Sequence, residues 1–216
     1  RLYVFRGFPD GGVDHLDVRL GFEEQTRLAR GGLLADTPIR ATLERARGKA
    51  PSPLAGTTTI PLKGVRNEFL PELETLTGWS PVPVELESTD INDAYSLISI
   101  SGRAGPFDPH RVTVIPCDNP YDADDFEVKG FFFVNDDWDG SDIFVLQENA
   151  FFVLMSDRAK HCIEDICGGF CVPEFTPLAE VTQHWLGVQS LIKTQRRSGF
   201  ITVGKSWRPG KIDRTT

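Results

Sequence analysis

The segment FFVLMSDRAKHCIEDICGGFCVPEF, residues Phe151 to Phe175, decides the predicted fold because it combines two strand patterns with a well-marked helix. Phe151–Met155 is short and apolar, as in a buried strand. Ser156 can cap the helix Asp157–Cys167, and the two glycines that follow can end it. A second strand, ending at Phe175, completes the unit. The segment therefore predicts a strand, a helix and a strand in succession.

Two of the four cysteines share the apolar face of this helix. The positions at i, i+3, i+4, i+7 and i+8 are Ala159, Cys162, Ile163, Ile166 and Cys167. This spacing predicts that Cys162 and Cys167 face the core as free thiols, which is typical of a cytoplasmic protein. A zinc site with Cys171 and His161 is an alternative, although the paired C-x-x-C spacing of structural zinc sites is missing. A disulfide is a third alternative.

Further strands are predicted by short segments rich in β-branched and aromatic residues, which turn residues separate. They are Leu2–Phe5, Val82–Leu86, Ala94–Ser101, Val112–Ile115, Phe126–Val134, Asp142–Leu146, Phe151–Met155 and Phe170–Phe175. Strands that follow one another at this spacing favour a mostly antiparallel sheet.

Three more helices are predicted outside the strand-rich region. The first runs from a cap at Thr37 to Gly48 and is followed by a surface linker, Ala50–Thr59. The second is a short helix that ends at Gly78. The third follows from an apolar face between Val181 and Ile192. Strands flanked by helices predict an α+β fold, a mostly antiparallel sheet with helices packed on one face.

The chain has 216 residues, of which 40% are hydrophobic, so it can bury the core of a single domain over residues 1–216. We expect no membrane partner, because apolar runs such as Phe131–Val134 are far too short to cross a bilayer. We also expect no direct nucleic-acid binding, because the net charge is −8 and no basic stripe is present. The expected location is the cytoplasm.

The acidity of the chain is concentrated between Asp118 and Glu148. This window holds ten acidic residues and one basic residue, Lys129, hence a net charge of −9. Clustered carboxylates either coordinate a cation or present a negative face to a positively charged partner. A solvated loop is the third interpretation.

The segment NDDWDGSD, Asn135–Asp142, tests the cation interpretation. Its first half matches the spacing of a calcium loop, but the position of the essential bidentate acid is Leu146. We therefore predict no metal site and interpret the segment as a turn between strands. Partner docking is compatible with that turn, and the residues we expect to contact the partner are Asp124, Asp125, Asp136, Asp137, Trp138, Asp139 and Asp142.

Catalytic motifs give no comparable signal. The chain has no G-x-S-x-G, H-E-x-x-H, phosphate-loop or dinucleotide pattern, and its four histidines are scattered. His161 and Cys162 are neighbours on a helix and point about 100° apart, which is poor geometry for a dyad. We expect no catalytic residues and no cofactor. A small carboxylate- or metal-dependent hydrolase is the alternative function.

The run DIFVLQENAFFVLMSDRAKHCIEDICGGFCVPEFTPL, Asp142–Leu178, resembles the end of an immunity-protein family of bacterial polymorphic toxin systems, number eleven in that series and of the Myxococcus type. The shared features are an acid followed by Ile-Phe, a strand leading into Ser-Asp-Arg, a helix, a glycine, and a closing Pro-Leu. Weaker similarity extends upstream, so the resemblance covers residues 81–181. Residues 1–80 form an N-terminal extension that is a candidate for the specificity surface.

The resemblance implies a cytoplasmic antitoxin that binds and neutralises a cognate effector toxin, often one delivered by type VI secretion. The family has no catalytic residues to transfer to this chain. Together with the acidic window, the resemblance predicts a partner with a basic surface, such as the cleft of an enzyme that acts on nucleic acid.

Overall fold

The structure, a computed structural model, describes residues 1–8, 12–32, 39–46, 51–58, 63–87, 94–116, 126–147 and 149–183. The chain divides into two compact units. The first unit consists of Arg1–Pro106 and Phe133–Pro177, and the second of Phe107–Phe132 and Leu178–Thr216. The single domain expected over residues 1–216 stays a prediction.

The described residues are mostly β. The strands are β1 (Leu2–Gly7), β2 (Asp14–Val18), β3 (Ile39–Glu44), β4 (Leu54–Thr57), β5 (Gly64–Arg66), β6 (Trp79–Leu86), β7 (Tyr95–Ile100), β8 (Gly102–Ala104), β9 (Thr113–Pro116), β10 (Phe126–Lys129), β11 (Ile143–Leu146), β12 (Asn149–Ser156), β13 (Glu174–Pro177) and β14 (Thr182–Gln183). The helices are α1 (Phe22–Ala29), α2 (Leu70–Leu73) and α3 (Asp157–Cys167), with 3-10 turns at Asn67–Phe69, Pro109–Arg111 and Asn135–Asp137.

Six strands of the first unit close into a barrel in the order β2-β3-β6-β7-β5-β4. The pairs β2–β4 and β3–β6 are parallel, and the other four pairings that close the barrel are antiparallel. The interior is filled by alternate side chains of these strands together with Leu28 of α1, which is fully buried. Closure pairs every strand on both sides and leaves the barrel no free sheet edge.

The rest of the first unit is a five-stranded sheet in the order β13-β1-β12-β11-β8. Its pairings are antiparallel except for β11–β8, which is parallel. One apolar cluster joins barrel residues such as Ile98 and Ile100 to sheet residues such as Ile143 and Met155. The same cluster includes the buried face of α3, so barrel, sheet and helix share one core.

Helix α3 confirms the prediction made from its capping residues. Its bounds are Asp157–Cys167, the Ser156 hydroxyl accepts a hydrogen bond from the Ala159 amide, and Gly168 ends the helix with a φ of 47°. Both β11 and β12 also lie where strands are predicted. The strand after the helix begins at Glu174 rather than at Phe170, because the preceding residues form a turn.

The predicted fold class, α+β with helices packed on one face of a mostly antiparallel sheet, is wrong. The described part of the chain is mostly β, with a closed barrel and mixed sheets. The helix predicted between Thr37 and Gly48 is the barrel strand β3 over its described residues. The predicted surface linker Ala50–Thr59 contains the barrel strand β4, of which Leu54 and Ala55 are buried. Barrel closure buries short segments that carry few apolar side chains.

The second unit has a three-stranded antiparallel sheet in the order β14-β10-β9. Phe107 and Phe131 of this unit pack with their ring centroids 5.7 Å apart. The Arg111 guanidinium lies 4.4 Å from the centroid of the Phe132 ring. Of the helix predicted from Val181 to Ile192, only residues up to Gln183 are described, and the last two of these form β14.

Candidate functional site

Of the residues predicted to dock a partner, those between Asp136 and Asp139 lie beside β8, the edge strand of the five-stranded sheet. The Val134 amide donates to the carbonyl of Pro106 at 3.1 Å, and the Asp139 amide donates to the carbonyl of Arg103 at 3.1 Å. Between these two bonds, residues Asn135–Asp137 form a 3-10 turn. The acidic segment is therefore attached to the sheet edge at both of its ends.

Asp136 and Asp137 are exposed on this turn, and neither carboxylate forms an ion pair with a described residue. Asp137 lies close to the main chain of Gly105. A Cβ added to Gly105 would be 2.4 Å from the Asp137 Cβ. Val134 beside them is 38% exposed. We call Val134, Asp136 and Asp137 the acidic patch.

Trp138, one of the residues predicted to contact the partner, is not an exposed side chain. Its ring is half-buried and packs against Phe144 at 5.2 Å and Phe133 at 6.2 Å between ring centroids. The indole Nε1–H is buried, and no described residue accepts a hydrogen bond from it. The ring thus fastens the acidic segment to the sheet more than it extends toward solvent.

The carboxylate of Asp139 accepts a main-chain hydrogen bond at the β8 edge, where a neighbouring strand would otherwise pair. Its Oδ2 accepts from the Arg103 amide at 2.8 Å, and its Oδ1 accepts from the Ser141 amide at 2.9 Å. Partial burial acts to raise the pKa of Asp139, but the hydrogen bonds from Ser141 and Arg103 and the positive charge of Arg103 outweigh it and lower that pKa. Asp139 therefore satisfies the main chain at the β8 edge, which would otherwise be open to pairing.

Asp142 is buried at the start of β11 and is the centre of a polar cluster. Its Oδ1 accepts from the Ser156 hydroxyl at 2.7 Å. Its Oδ2 accepts from the amide and hydroxyl of Thr77, at 3.1 and 3.2 Å, and lies 3.4 Å from the Arg158 guanidinium. Because buried carboxylates are costly unless they are well paired, these bonds assign Asp142 to the scaffold.

The seven predicted docking residues thus separate into groups. Asp124 and Asp125 lie outside the described residues. Asp136 and Asp137 are together at the surface, whereas Asp139 and Asp142 bind neighbouring backbone and side chains. Sequence reasoning placed Val134 inside a strand and missed it as an exposed neighbour of the acids. The triad Val-Asn-Asp is the sequence signal for the exposure of Val134, because here an apolar residue directly precedes a polar turn.

A groove of about 640 Å³ lies between α2 and α3 of the first unit. Phe69, Cys162 and Ile166 contribute apolar surface, while its charged lining residues are Glu72, Arg158 and Asp165. The Cys162 thiol donates to the Glu72 carbonyl at 3.4 Å. Burial, followed by the charges of Asp165 and Glu72, raises the pKa of Cys162, which makes it a weak nucleophile at neutral pH.

His161 also lines the groove but is not paired with Cys162. Its Nδ1 lies 2.7 Å from the carbonyl of Asp157, and since a carbonyl only accepts, this nitrogen is the protonated donor. The neighbouring thiol meets a different partner on α2, so the geometry is that of two independent contacts. This agrees with the divergent directions expected of neighbours on a helix.

Asp14 is a second buried carboxylate, and no sequence pattern indicates its importance. At the start of β2 it is 0% exposed and accepts hydrogen bonds from the Ala46 and Ser52 amides, both at 2.9 Å, and from the Tyr95 hydroxyl at 3.1 Å. Arg45 is 3.8 Å away. These contacts join strands and loops of the barrel, so we assign Asp14 a structural role.

Comparison with known proteins finds no protein-family model and no curated protein that matches this chain. Among the described residues, no three His, Cys, Asp or Glu side chains are grouped to hold a metal ion. No helix within the described ranges has the length and apolar character needed to span a membrane.

Proposed function

We propose that this chain is an immunity protein that binds a cognate bacterial effector toxin and neutralises it through contacts made by the acidic patch. The observation that carries the proposal is the pair of exposed carboxylates at Asp136 and Asp137, which lack a counter-ion among the described residues and lie on a turn attached to a sheet edge. A site of this kind is ready to meet positive charge without first breaking an internal salt bridge.

The composition of the patch suits a protein partner. The exposed Val134 side chain offers apolar area next to two negative charges, and apolar surface beside charge is common where protein interfaces form. Backbone hydrogen bonds on both sides hold the turn, so little conformational entropy is lost on binding. The favoured partner surface is basic, as in the cleft of an enzyme that acts on nucleic acid.

The motif that carries the family resemblance supports separate roles for the scaffold and for the surface that contacts the toxin. Its acid, serine and arginine are Asp142, Ser156 and Arg158, which meet in the buried polar cluster. These residues maintain the scaffold, so the part that selects one toxin belongs to the surface around it. Asp136 and Asp137 precede the run Asp142–Leu178 that contains this motif, at positions where variation would not disturb that cluster.

The proposal is tested by co-expressing the chain with the product of a neighbouring gene that arrests the growth of the host, as a cognate toxin would. We expect the chain to restore growth and to co-purify with the toxin. The variant Asp136→Lys/Asp137→Lys should lose much of the protection. Glu174→Lys is the matched control, because Glu174 is exposed on β13 at the opposite edge of the same sheet. Arrested growth in the presence of the folded wild-type chain would overturn the proposal.

A further inference from the structure

Two thiols meet at the end of α3. Cys167 is the last residue of the helix and is buried, whereas Cys171 is half-buried in the turn that follows. Their Sγ atoms are 3.2 Å apart, and neither cysteine is in a disulfide. A disulfide bond is about 2.05 Å long, so a shift of roughly 1 Å would join the two sulfurs.

The turn between the two cysteines accounts for their proximity. Gly168 and Gly169 both have positive φ, at 47° and 89°, a conformation that other residues rarely adopt. The Phe170 amide donates to the Cys167 carbonyl at 2.7 Å, and Gly168 forms an isolated bridge with Cys171. The chain reverses tightly enough to return the second cysteine to the helix end.

We propose that Cys167 and Cys171 form a reversible dithiol–disulfide site that reacts with small disulfides such as oxidised glutathione. The product is a closed ring that contains the sequence Cys-Gly-Gly-Phe-Cys. It fixes the turn that presents Phe170, whose side chain is 49% exposed. The site lies apart from the acidic patch in the sequence and does not depend on the proposed function.

The two thiols have different roles in this reaction. Cys171 reacts first because it is the more accessible thiol, whereas the contact with Cys171 and burial raise the pKa of Cys167. The Cys171 thiolate attacks one sulfur of oxidised glutathione, breaks its S–S bond and releases one glutathione thiolate. Cys167 then attacks the Cys171 sulfur, gives up its proton and releases the second glutathione. The protein loses two electrons, and the reagent gains them.

Cys162 provides an internal control for selectivity. It lies on the same helix and is half-buried like Cys171, but its thiol is directed to the Glu72 carbonyl at 3.4 Å. It therefore has no resolving thiol in contact within the described residues. A reagent that reaches Cys162 should leave a mixed disulfide there.

The test is thiol mapping on the purified full chain. The reduced chain is incubated with oxidised glutathione at about pH 8, close to the ordinary pKa of a thiol, quenched with acid, labelled with N-ethylmaleimide and digested for mass spectrometry. We expect Cys167 and Cys171 to carry neither the N-ethylmaleimide label nor any other added mass. Their peptide should weigh two hydrogens less than the same peptide with both thiols reduced and unlabelled. Dithiothreitol should restore both labels, and Cys162→Ser should behave like the wild type.

Cys167→Ser should stop the reaction at a glutathione adduct on Cys171. If this variant does not fold, the thiol map of the wild type tests the proposal by itself, because the disulfide ring and the glutathione adduct differ in mass. The proposal is overturned if wild-type Cys171 keeps glutathione while Cys167 remains labelled. It is also overturned if both keep their labels under conditions that oxidise Cys162.

Discussion

The Ser156 hydroxyl links the N-terminus of α3 to the start of β11, because it accepts from the Ala159 amide at 3.1 Å and donates to the Asp142 carboxylate at 2.7 Å. The same carboxylate binds Thr77, from the turn before β6. Three elements that are distant in the sequence therefore meet at one buried acid.

Ser156→Ala should lower the free energy of unfolding by about 1–3 kcal/mol, since it removes a helix cap and leaves one oxygen of a buried carboxylate unsatisfied. Chemical denaturation measures the change. Ser156→Thr keeps the hydroxyl and is the matched control, with a smaller expected loss.

A double-mutant cycle separates the cap from the link to β11. Asp142→Ala and Ser156→Ala should be non-additive, with a coupling free energy of about 0.5–3 kcal/mol for groups in direct contact. Additive losses would show that the Ser156 hydroxyl stabilises the helix alone.

Asp139 makes the stability of the chain depend on pH in the acid range. Its pKa is lowered in the folded state, so its stabilisation is present above the ordinary value of 3.8 and is lost as the pH falls through the lowered pKa. The variant Asp139→Asn should be less stable than the wild type at neutral pH, and the difference should shrink below pH 3.8. Denaturation midpoints over a pH series measure this.

Asp136→Asn is the matched control for that series. Asp136 is on the same turn and is exposed, so its substitution should change stability by less than about 0.5 kcal/mol. A constant difference between Asp139→Asn and the wild type at all pH values would contradict the role assigned to the Asp139 carboxylate.

Gly102 permits the close parallel pairing of β8 with β11. A Cβ at this position would be 2.2 Å from the carbonyl oxygen of Ile143 and 2.7 Å from the Cβ of Ser141. Gly102→Ala should therefore cost about 1–3 kcal/mol or more, because the backbone must move. Gly140→Ala is the control: its φ of 81° is strained for alanine, but nothing lies within 4 Å of the added Cβ. Thermal melting should show the larger loss at Gly102.

The sequence predicted elements whose signals are local. Helix α3 has its cap, its apolar stripe and its terminating glycines within adjacent residues, and all of these lie where they were expected. Strands β11 and β12 are apolar enough to be recognised without knowing their partners.

The barrel depends on pairings that leave little local signal. In β3, Ile39, Ala41 and Leu43 are buried in alternation, but Leu43 also lies four residues after Ile39, as a helix requires. The Thr37-Pro38 pair before these residues is typical of a helix start and therefore favours a helix. Recognising β3 as a strand requires its pairing partners, and one of them, β6, pairs in parallel from 45 residues away.

The sequence predicts only part of the candidate site, because contacts between residues that are distant in the sequence leave no local signal. A count of charges identifies the acidic segment, and three of its acids, Asp136, Asp137 and Asp139, are exposed. Which acids bind their own scaffold depends on where distant residues such as Arg103 and Thr77 meet them. No spacing within the segment reveals those contacts.

The most direct test of the acidic patch is the rate at which the chain associates with the toxin against which it protects in co-expression, measured by stopped flow at low and moderate salt. Asp136→Lys/Asp137→Lys should slow association by about tenfold or more at low salt and flatten its salt dependence, because electrostatic steering is lost. Glu174→Lys should leave both nearly unchanged. Equal rates and equal salt dependences for the wild type and the double variant would contradict the account.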